Sequence, residues 1–323
     1  MLTAIAAVIG GLLLLGWSAD RFIYGAAQTA IRLKVPRLSI GLIIVGIGTS
    51  APEAFVSLSA ALAGNSGIAI GNVYGSNITN IALVLGVTAL IMPLIVHSDL
   101  LHRQLPMLLL INIGVMALMA DGVLGRVDGV ILLAGLLLVI YLLVRLSRSA
   151  SPRDPVKAEF DIELKKEISL LRALVWVLVG LLVLIASARL LVWGAVNIAL
   201  DLGVSDLVIG LTVVAVGTSL PELAASVTAA LKGEHELAVG NVVGSNMFNF
   251  LLVLAMPALF APGPFDSALL YRDAPLALVL TVILLLMARG LRGRRGYIMR
   301  WQGALLLTVF VSYLVFIYYG SLV

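Results

Sequence analysis

One motif occurs twice in this chain, and that duplication constrains the fold more than anything else in it. Residues 48–85 open with Gly-Thr-Ser-Ala-Pro-Glu and run on to Gly-Asn-Val-Tyr-Gly-Ser-Asn-Ile-Thr-Asn. Residues 217–254 open with Gly-Thr-Ser-Leu-Pro-Glu and run on to Gly-Asn-Val-Val-Gly-Ser-Asn-Met-Phe-Asn. The offset is a constant 169 (218 − 49, 222 − 53, 249 − 80), without a gap, and 21 of the 38 aligned positions are identical. Each copy sets a glutamate and several small polar residues inside a long apolar stretch. A carboxylate in a bilayer is costly, and where one is kept it marks a working site. Two in equivalent places point to a single site built from two halves.

The apolar stretches are membrane spans. The chain is 61% hydrophobic and 12% charged, with a mean hydropathy of +1.13, against about 25% charged residues in soluble domains. A spanning helix needs roughly 20 apolar residues. The apolar runs give ten, at about 4–28, 38–63, 67–93, 104–120, 127–145, 170–198, 205–231, 236–261, 273–289 and 301–319. Strands of a transmembrane barrel would be about 10 residues long and alternating, and these runs are neither. The first run lacks a basic n-region and is too long for a cleavable signal. The expected fold is therefore an all-α polytopic membrane protein with ten transmembrane helices. No cysteine is present, which excludes disulfides, thiolate metal sites and cysteine nucleophiles. No cofactor is expected. The net charge of +4 sits in loops flanking the spans, so it reports topology and is not a footprint for nucleic acid.

Lys and Arg concentrate in cytoplasmic loops. Arg32, Lys34 and Arg37 follow the first span. Arg145, Arg148, Arg153, Lys157, Lys165, Lys166 and Arg172 follow the fifth, and Arg289, Arg292, Arg294, Arg295 and Arg300 follow the ninth. With ten spans these loops share one side, which places both termini outside. Five spans per half is an odd number, so the second half enters from the opposite face and the repeats are inverted. The charges agree: Arg32 and Arg37 shifted by the offset become Asp201 and Asp206. The predicted organisation is a first repeat at 1–145, a cytoplasmic linker at 146–169 and a second repeat at 170–323. The linker, with Pro152 and Pro155, is too short for a regulatory domain.

The motif suits a cation. Gly46, Gly48 and Pro52 interrupt the second span, because glycine weakens a helix and proline removes a backbone donor. One helix should end near Gly48 and another begin near Ser50, a reasonable N-cap. Broken backbone at membrane depth is tolerated only where it is buried in protein or lines a cavity. Its free carbonyls, the hydroxyls of Thr49 and Ser50 and the carboxylate of Glu53 are hard oxygen ligands of the kind Na⁺ and Ca²⁺ prefer. In the next span Asn72, Ser76 and Asn80 form a polar stripe at i, i+4, i+8, and Gly71 and Gly75 permit close helix approach. The second copy repeats each element as Thr218, Ser219 and Glu222, then Asn241, Ser245 and Asn249, with Gly240 and Gly244. Asn72 and Asn241 serve equally as interhelical hydrogen bonders or ion contacts; Asn77 and Asn246 lie off the stripe and read as structural.

At these residues the chain resembles the cation/Ca²⁺ exchanger superfamily, and most closely its bacterial and archaeal sodium/calcium exchanger-like members. The resemblance covers essentially the whole chain, and the motif pair is highly specific. It implies antiport by alternating access, with two gating helices sliding against a core bundle. It implies that Glu53 and Glu222 coordinate both Ca²⁺ and Na⁺, and that Thr49, Ser50, Ser76, Asn80, Thr218, Ser219, Ser245 and Asn249 add oxygen ligands. Some relatives, including potassium-dependent exchangers, carry an aspartate where this chain has Asn249; two central carboxylates weaken the case for K⁺. The proton/calcium branch differs around its acidic residue, which favours Na⁺, although a carboxylate can carry a proton and H⁺ stays open as the coupling ion. A passive cation channel fits the paired broken helices less well. A membrane enzyme fits least, since no nucleophile–base constellation is present. The expected setting is the inner membrane of a prokaryote, with inorganic cations and the lipid bilayer as partners and a monomer as the default.

The remaining charges read as ordinary. Asp20, Arg21 and Arg189 are expected to snorkel or pair at the interface. His97, His102 and His235 should be solvated loop histidines, and Asp121, Asp128, Asp266 and Asp273 solvated acids in outside loops or span ends.

Overall fold

The computed structural model describes residues 1–33, 41–96, 100–149, 168–202, 215–289 and 296–320. The described chain is helical apart from short strands and turns. In order it forms α1 (Leu2–Leu33), α2 (Leu42–Thr49), α3 (Ala51–Leu62), α4 (Ser66–Ile91), α5 (His102–Leu118), α6 (Arg126–Ser149), α7 (Leu170–Asp201), α8 (Ala215–Thr218), α9 (Leu220–Leu231), α10 (His235–Phe260), α11 (Leu269–Ala288) and α12 (Arg300–Gly320). Seven of these are long and apolar enough to cross a bilayer, and α2 with α3, bent by 46°, makes up to eight. The sequence reading gave ten. The difference lies at α5 and α9, which are apolar but short. The span expected at 205–231 opens on residues 203–214, outside those described, as is most of the expected linker.

Local chemistry repeats at the offset. Pro52 and Pro221 stand in the first turns of α3 and α9, where the missing N–H costs no helical bond. Gly64 (φ 79°) and Gly233 (φ 75°) end those helices in left-handed backbone. Each donates to the carbonyl three residues back, and the next residue to the carbonyl five back (Gly64 to Ala61, Asn65 to Ala60; Gly233 to Ala230, Glu234 to Ala229). That double bond set is the glycine-terminated stop that turns each helix sharply into the next.

α1 and α7 run antiparallel along their length. A methyl group on Gly11 would lie 2.9 Å from Leu191 Cβ, one on Gly25 2.7 Å from the Val177 nitrogen, and one on Gly180 2.6 Å from the Phe22 nitrogen. Gly11 and Gly180 are equivalent positions, as are Phe22 and Leu191, so one contact is made twice. Bare backbone at these points lets the helices touch where lipid supplies no hydrophobic drive.

Two short antiparallel ribbons tie the halves. β1 (Leu94–Val96) pairs with β4 (Gly296–Ile298), and β2 (Val123–Leu124) with β3 (Gly263–Pro264). Two side-chain contacts join residues one offset apart: Asn112 Nδ2 to Thr281 Oγ1 at 3.4 Å and Asn246 Nδ2 to the Asn77 carbonyl at 3.3 Å.

Candidate ion site

The break in the second span falls where glycine and proline place it. α2 ends at Thr49 and α3 starts at Ala51, with Ser50 between them at φ −79°, ψ 3°. Ser219 joins α8 to α9 at φ −91°, ψ 8°. Both values lie near the sparsely allowed bridge region. Pro52 has no N–H to return to Gly48, whose carbonyl accepts a backbone N–H at the cap instead. Glu53 and Glu222 follow in the first turns of α3 and α9, where the helix dipole favours negative charge. Both are fully buried.

Ser50 does not cap α3 with its side chain, contrary to expectation. Its hydroxyl points across to the other half and donates to Glu222 Oε1 at 3.4 Å. Thr49 Oγ1 donates to Asn241 Oδ1 at 2.9 Å and lies 3.3 Å from Ser245 Oγ; Ser245 in turn lies 3.2 Å from the Gly46 carbonyl. Close approach makes this possible, since a methyl on Gly46 would sit 2.9 Å from the Ser245 nitrogen. The structure thus brings Thr49, Ser50, Glu222, Asn241 and Ser245 together from both halves. Gly244 shares that crossing, pressed against Leu42, whereas Gly71 and Gly75 face open space and bring no helix close.

Asn80 and Asn249 are fully buried, and each opens a π-helical turn, Asn80–Leu85 and Asn249–Val253. Such turns swing a side chain out of the regular ladder and recur at functional sites. The turn at Asn249 packs against α3, which carries Glu53, and the turn at Asn80 against α9, which carries Glu222. Ser76 and Ser219 are buried; Thr218 is half-buried.

What marks the site electrostatically is a set of buried polar atoms with no hydrogen-bond partner among the described residues. They include both carboxylate oxygens of Glu53, Oε2 of Glu222, Oγ of Ser219, and both amide heteroatoms of Asn80 and of Asn249. Leaving such atoms unmatched costs several kcal/mol each in an apolar setting, and native proteins rarely leave them so. Oxygens dominate the set, which fits a hard cation.

The sequence reading missed two members of this neighbourhood. Ser57 and Ser226 are fully buried and accept from the amides of Asn72 and Asn241, each at 2.9 Å. Their identity in both motif copies was the available signal. The amides of Asn72 and Asn241 are spent on interhelical bonds, donating also to the carbonyls of Glu53 (3.1 Å) and Glu222 (3.2 Å).

Elsewhere two expectations are corrected. Asp273 is buried, held twice by Arg272 (2.8 and 2.9 Å) and by the Tyr313 hydroxyl (3.0 Å). His235 is also buried, because it opens α10 directly after the tight turn at Gly233. Asp20 does pair, with Lys232 at 2.7 Å, Arg21 stacks on Trp176 and Arg189 on Phe55. His97 lies outside the described residues.

A family model described as sodium/calcium exchanger protein matches residues 3–145 and 172–319. The chain belongs to the sodium/calcium exchanger family. CaxA of Alkalimonas amylolytica is 47% identical over 313 residues, covering 97% of this chain and 98% of CaxA. The inner membrane protein YrbG of Escherichia coli (strain K12) is 39% identical, covering 99% and 98%. A solved structure of the sodium-calcium exchanger NCX_Mj, soaked with 2.5 mM Na⁺ and 1 mM Sr²⁺, superposes with a TM-score of 0.83 at 34% identity, covering 98% of each chain. As a sodium/calcium exchanger family member the protein is a helical integral membrane protein that transports ions by antiport.

Proposed function

We propose that the protein exchanges Ca²⁺ for Na⁺ by alternating access, with both ions bound mid-membrane between the two Gly-Thr-Ser-x-Pro-Glu motifs. The observation that carries this reading is that Glu53 and Glu222, one from each motif copy, are fully buried with three of their four carboxylate oxygens unpartnered among the described residues. Two ionised carboxylates offer a charge of about −2 to acceptor-seeking cations. One Ca²⁺ neutralises it, and so do two Na⁺. A third Na⁺ would leave net charge on the loaded carrier, so exchange of three Na⁺ for one Ca²⁺ would move charge, worth ~2.3 kcal/mol per 100 mV. Thr49, Ser50, Ser76, Asn80, Thr218, Ser219, Ser245 and Asn249 complete the oxygen set.

The scaffold we infer is ten spans in two inverted five-helix repeats, 1–145 and 170–323, joined by the linker 146–169, in the inner membrane of a prokaryote with both termini outside. The antiparallel course of α1 and α7, the ribbons pairing strands across the halves and the contacts between counterparts such as Asn112 and Thr281 support it. So does the division of the family match into two stretches, as do the names of relatives such as the inner membrane protein YrbG. In this scheme α1 and α7 slide together against the remaining helices and expose the site to each side in turn.

The deciding experiment measures ⁴⁵Ca²⁺ uptake into proteoliposomes loaded with Na⁺ and diluted into Na⁺-free buffer. Uptake that requires internal Na⁺ and disappears in Glu53→Gln supports the reading. Uptake driven only by a pH gradient keeps the site and transfers the coupling to H⁺.

A further inference from the structure

Behind Thr49 runs a chain of hydrogen bonds whose direction is fixed by chemistry. Thr49 Oγ1 lies 2.9 Å from Asn241 Oδ1, Asn241 Nδ2 lies 2.9 Å from Ser226 Oγ, and Ser226 Oγ lies 3.4 Å from the Ala238 carbonyl. The last member can only accept, so the Ser226 proton goes to Ala238 and its lone pair turns toward Asn241. That lone pair requires an N–H from Asn241, and so does the Glu222 carbonyl 3.2 Å from the same nitrogen. Both protons of the Asn241 amide are then committed, and reversing the amide would set its oxygen against two acceptors. Its oxygen therefore faces Thr49 and accepts from it. Thr49 Oγ1 also lies 3.1 Å from the Val45 carbonyl and 3.3 Å from Ser245 Oγ, so the direction is fixed from Asn241 to Ala238 and the Thr49 proton has more than one acceptor.

The first half carries the same clamp one offset earlier. Asn72 Nδ2 meets Ser57 Oγ at 2.9 Å and the Glu53 carbonyl at 3.1 Å, and Ser57 Oγ lies 3.2 Å from the Ala69 carbonyl. Ser57, Ser226 and Asn241 are all fully buried, so water does not compete for these bonds, and bonds in such chains reinforce one another.

The geometry assigns Ser226 and Ser57 as positioning residues of the cation site. Neither serine touches the ion. Each locks an asparagine amide so that it pins the glutamate-bearing helix by the glutamate carbonyl. A site lined by acceptor oxygens suits a cation and disfavours an anion. The assignment rests on Ca²⁺ binding at this site and is indifferent to whether the exchanged ion is Na⁺ or H⁺.

The test compares Ser226→Thr with Ser226→Val in the purified full-length protein. The two variants match in volume and differ only in the hydroxyl, so packing disturbs them alike. Ca²⁺ affinity is read as Ca²⁺-dependent thermal stabilisation in detergent, with Ca²⁺ alone as the probe. The expected result is a half-saturating Ca²⁺ concentration about fivefold or more higher in Ser226→Val than in Ser226→Thr, the size of one lost hydrogen bond in the clamp that holds the Glu222 carbonyl. Ser226→Thr should stay within about twofold of the unmodified protein, and Ser57→Val against Ser57→Thr should show the same order. Equal Ca²⁺ affinity in Thr and Val variants, with the unmodified protein binding Ca²⁺, overturns the assignment and leaves the exchange reading intact. No Ca²⁺ binding by the unmodified protein overturns both.

Discussion

Ser50 donates to Glu222 Oε1 across 3.4 Å, although the two residues stand on opposite halves of the chain. The serine sits at the kink of one broken helix and the carboxylate at the start of another, so a bound cation would join two elements already in register. The bond is long, and it holds one of four carboxylate oxygens in the pair. Ser50→Ala should therefore raise the half-saturating Ca²⁺ concentration by only about three- to tenfold, below the ~1.5–3 kcal/mol of a well-formed charge-assisted hydrogen bond. Combined with Glu222→Gln it should add nothing. An additive penalty in the double variant would show that Ser50 acts independently of Glu222.

Glu53→Gln and Glu222→Gln should each abolish Ca²⁺ exchange in protein that still folds. The amide keeps the shape but leaves a divalent ion facing one carboxylate in a fully buried pocket. Uncompensated buried charge costs about 3–5 kcal/mol, or on the order of a hundredfold or more in affinity. Folding is expected to survive, because the backbone clamps at Asn72 and Asn241 hold the glutamate carbonyls and not their side chains. Residual exchange within tenfold of the unmodified protein in both variants would remove the carboxylates from the mechanism.

Potassium should be dispensable. The asparagine turns contribute amides at Asn80 and Asn249, leaving two carboxylates in the described site. Two negative charges balance Ca²⁺ without a further monovalent cation. Replacing K⁺ by choline on both sides should leave Na⁺-driven uptake within about twofold of its original rate, a difference of under ~0.5 kcal/mol. A requirement for K⁺ would point to a third charge in the site.

Glycine at α1–α7 should matter by position and not by residue type. A side chain on Gly180 meets the Phe22 backbone at 2.6 Å, whereas Gly10 and Gly16 face open space. Gly180→Val should destabilise the protein by about 1–3 kcal/mol through overpacking, seen as a lower midpoint of thermal unfolding. Gly10→Ala and Gly16→Ala should be neutral. Equal effects at all three sites would mean that α1 and α7 do not meet as described.

The duplication made much of this arrangement legible, and for a physical reason. Equivalent residues do equivalent jobs, so Pro52 and Pro221 or Gly64 and Gly233 could be read in pairs, and the helix break between Thr49 and Ala51 lies where glycine and proline put it. What could not be read were features set by distant partners. The turns at Asn80 and Asn249 lie in helices whose local sequence does not specify a π-turn. The pairing of β1 with β4 joins segments about two hundred residues apart (296 − 94 = 202). Ser50 looked like a cap because local rules weigh its own helix and not a carboxylate on the other half. Ser57 and Ser226 were missed because their partners, the Ala69 and Ala238 carbonyls, are backbone groups on the following helix.

Asp273 and Asp20 put the same lesson to a quantitative test, since the sequence alone assigns Asp20 a partner and Asp273 only solvent. Asp20 is half-exposed, and its bond to Lys232 at 2.7 Å joins two partly exposed groups. Pairs of that kind contribute about 0–1 kcal/mol. Asp273 is buried at the start of the final turn-to-helix junction of α11 and engages Arg272 twice as well as the Tyr313 hydroxyl. Removing its charge leaves the Arg272 guanidinium beside a neutral amide and strips Tyr313 of an ionised acceptor. Because Arg272 itself is about a third exposed, water recovers part of the loss, and Asp273→Asn should cost about 2 kcal/mol, below the 3–5 expected for a fully buried pair. Tyr313→Phe should cost about 1 kcal/mol, one hydrogen bond, and Asp20→Asn less than either. Thermal unfolding of the purified protein in detergent orders the three. A larger loss from Asp20→Asn than from Asp273→Asn would mean that the pair between α1 and α9 stabilises the fold more than its exposure allows.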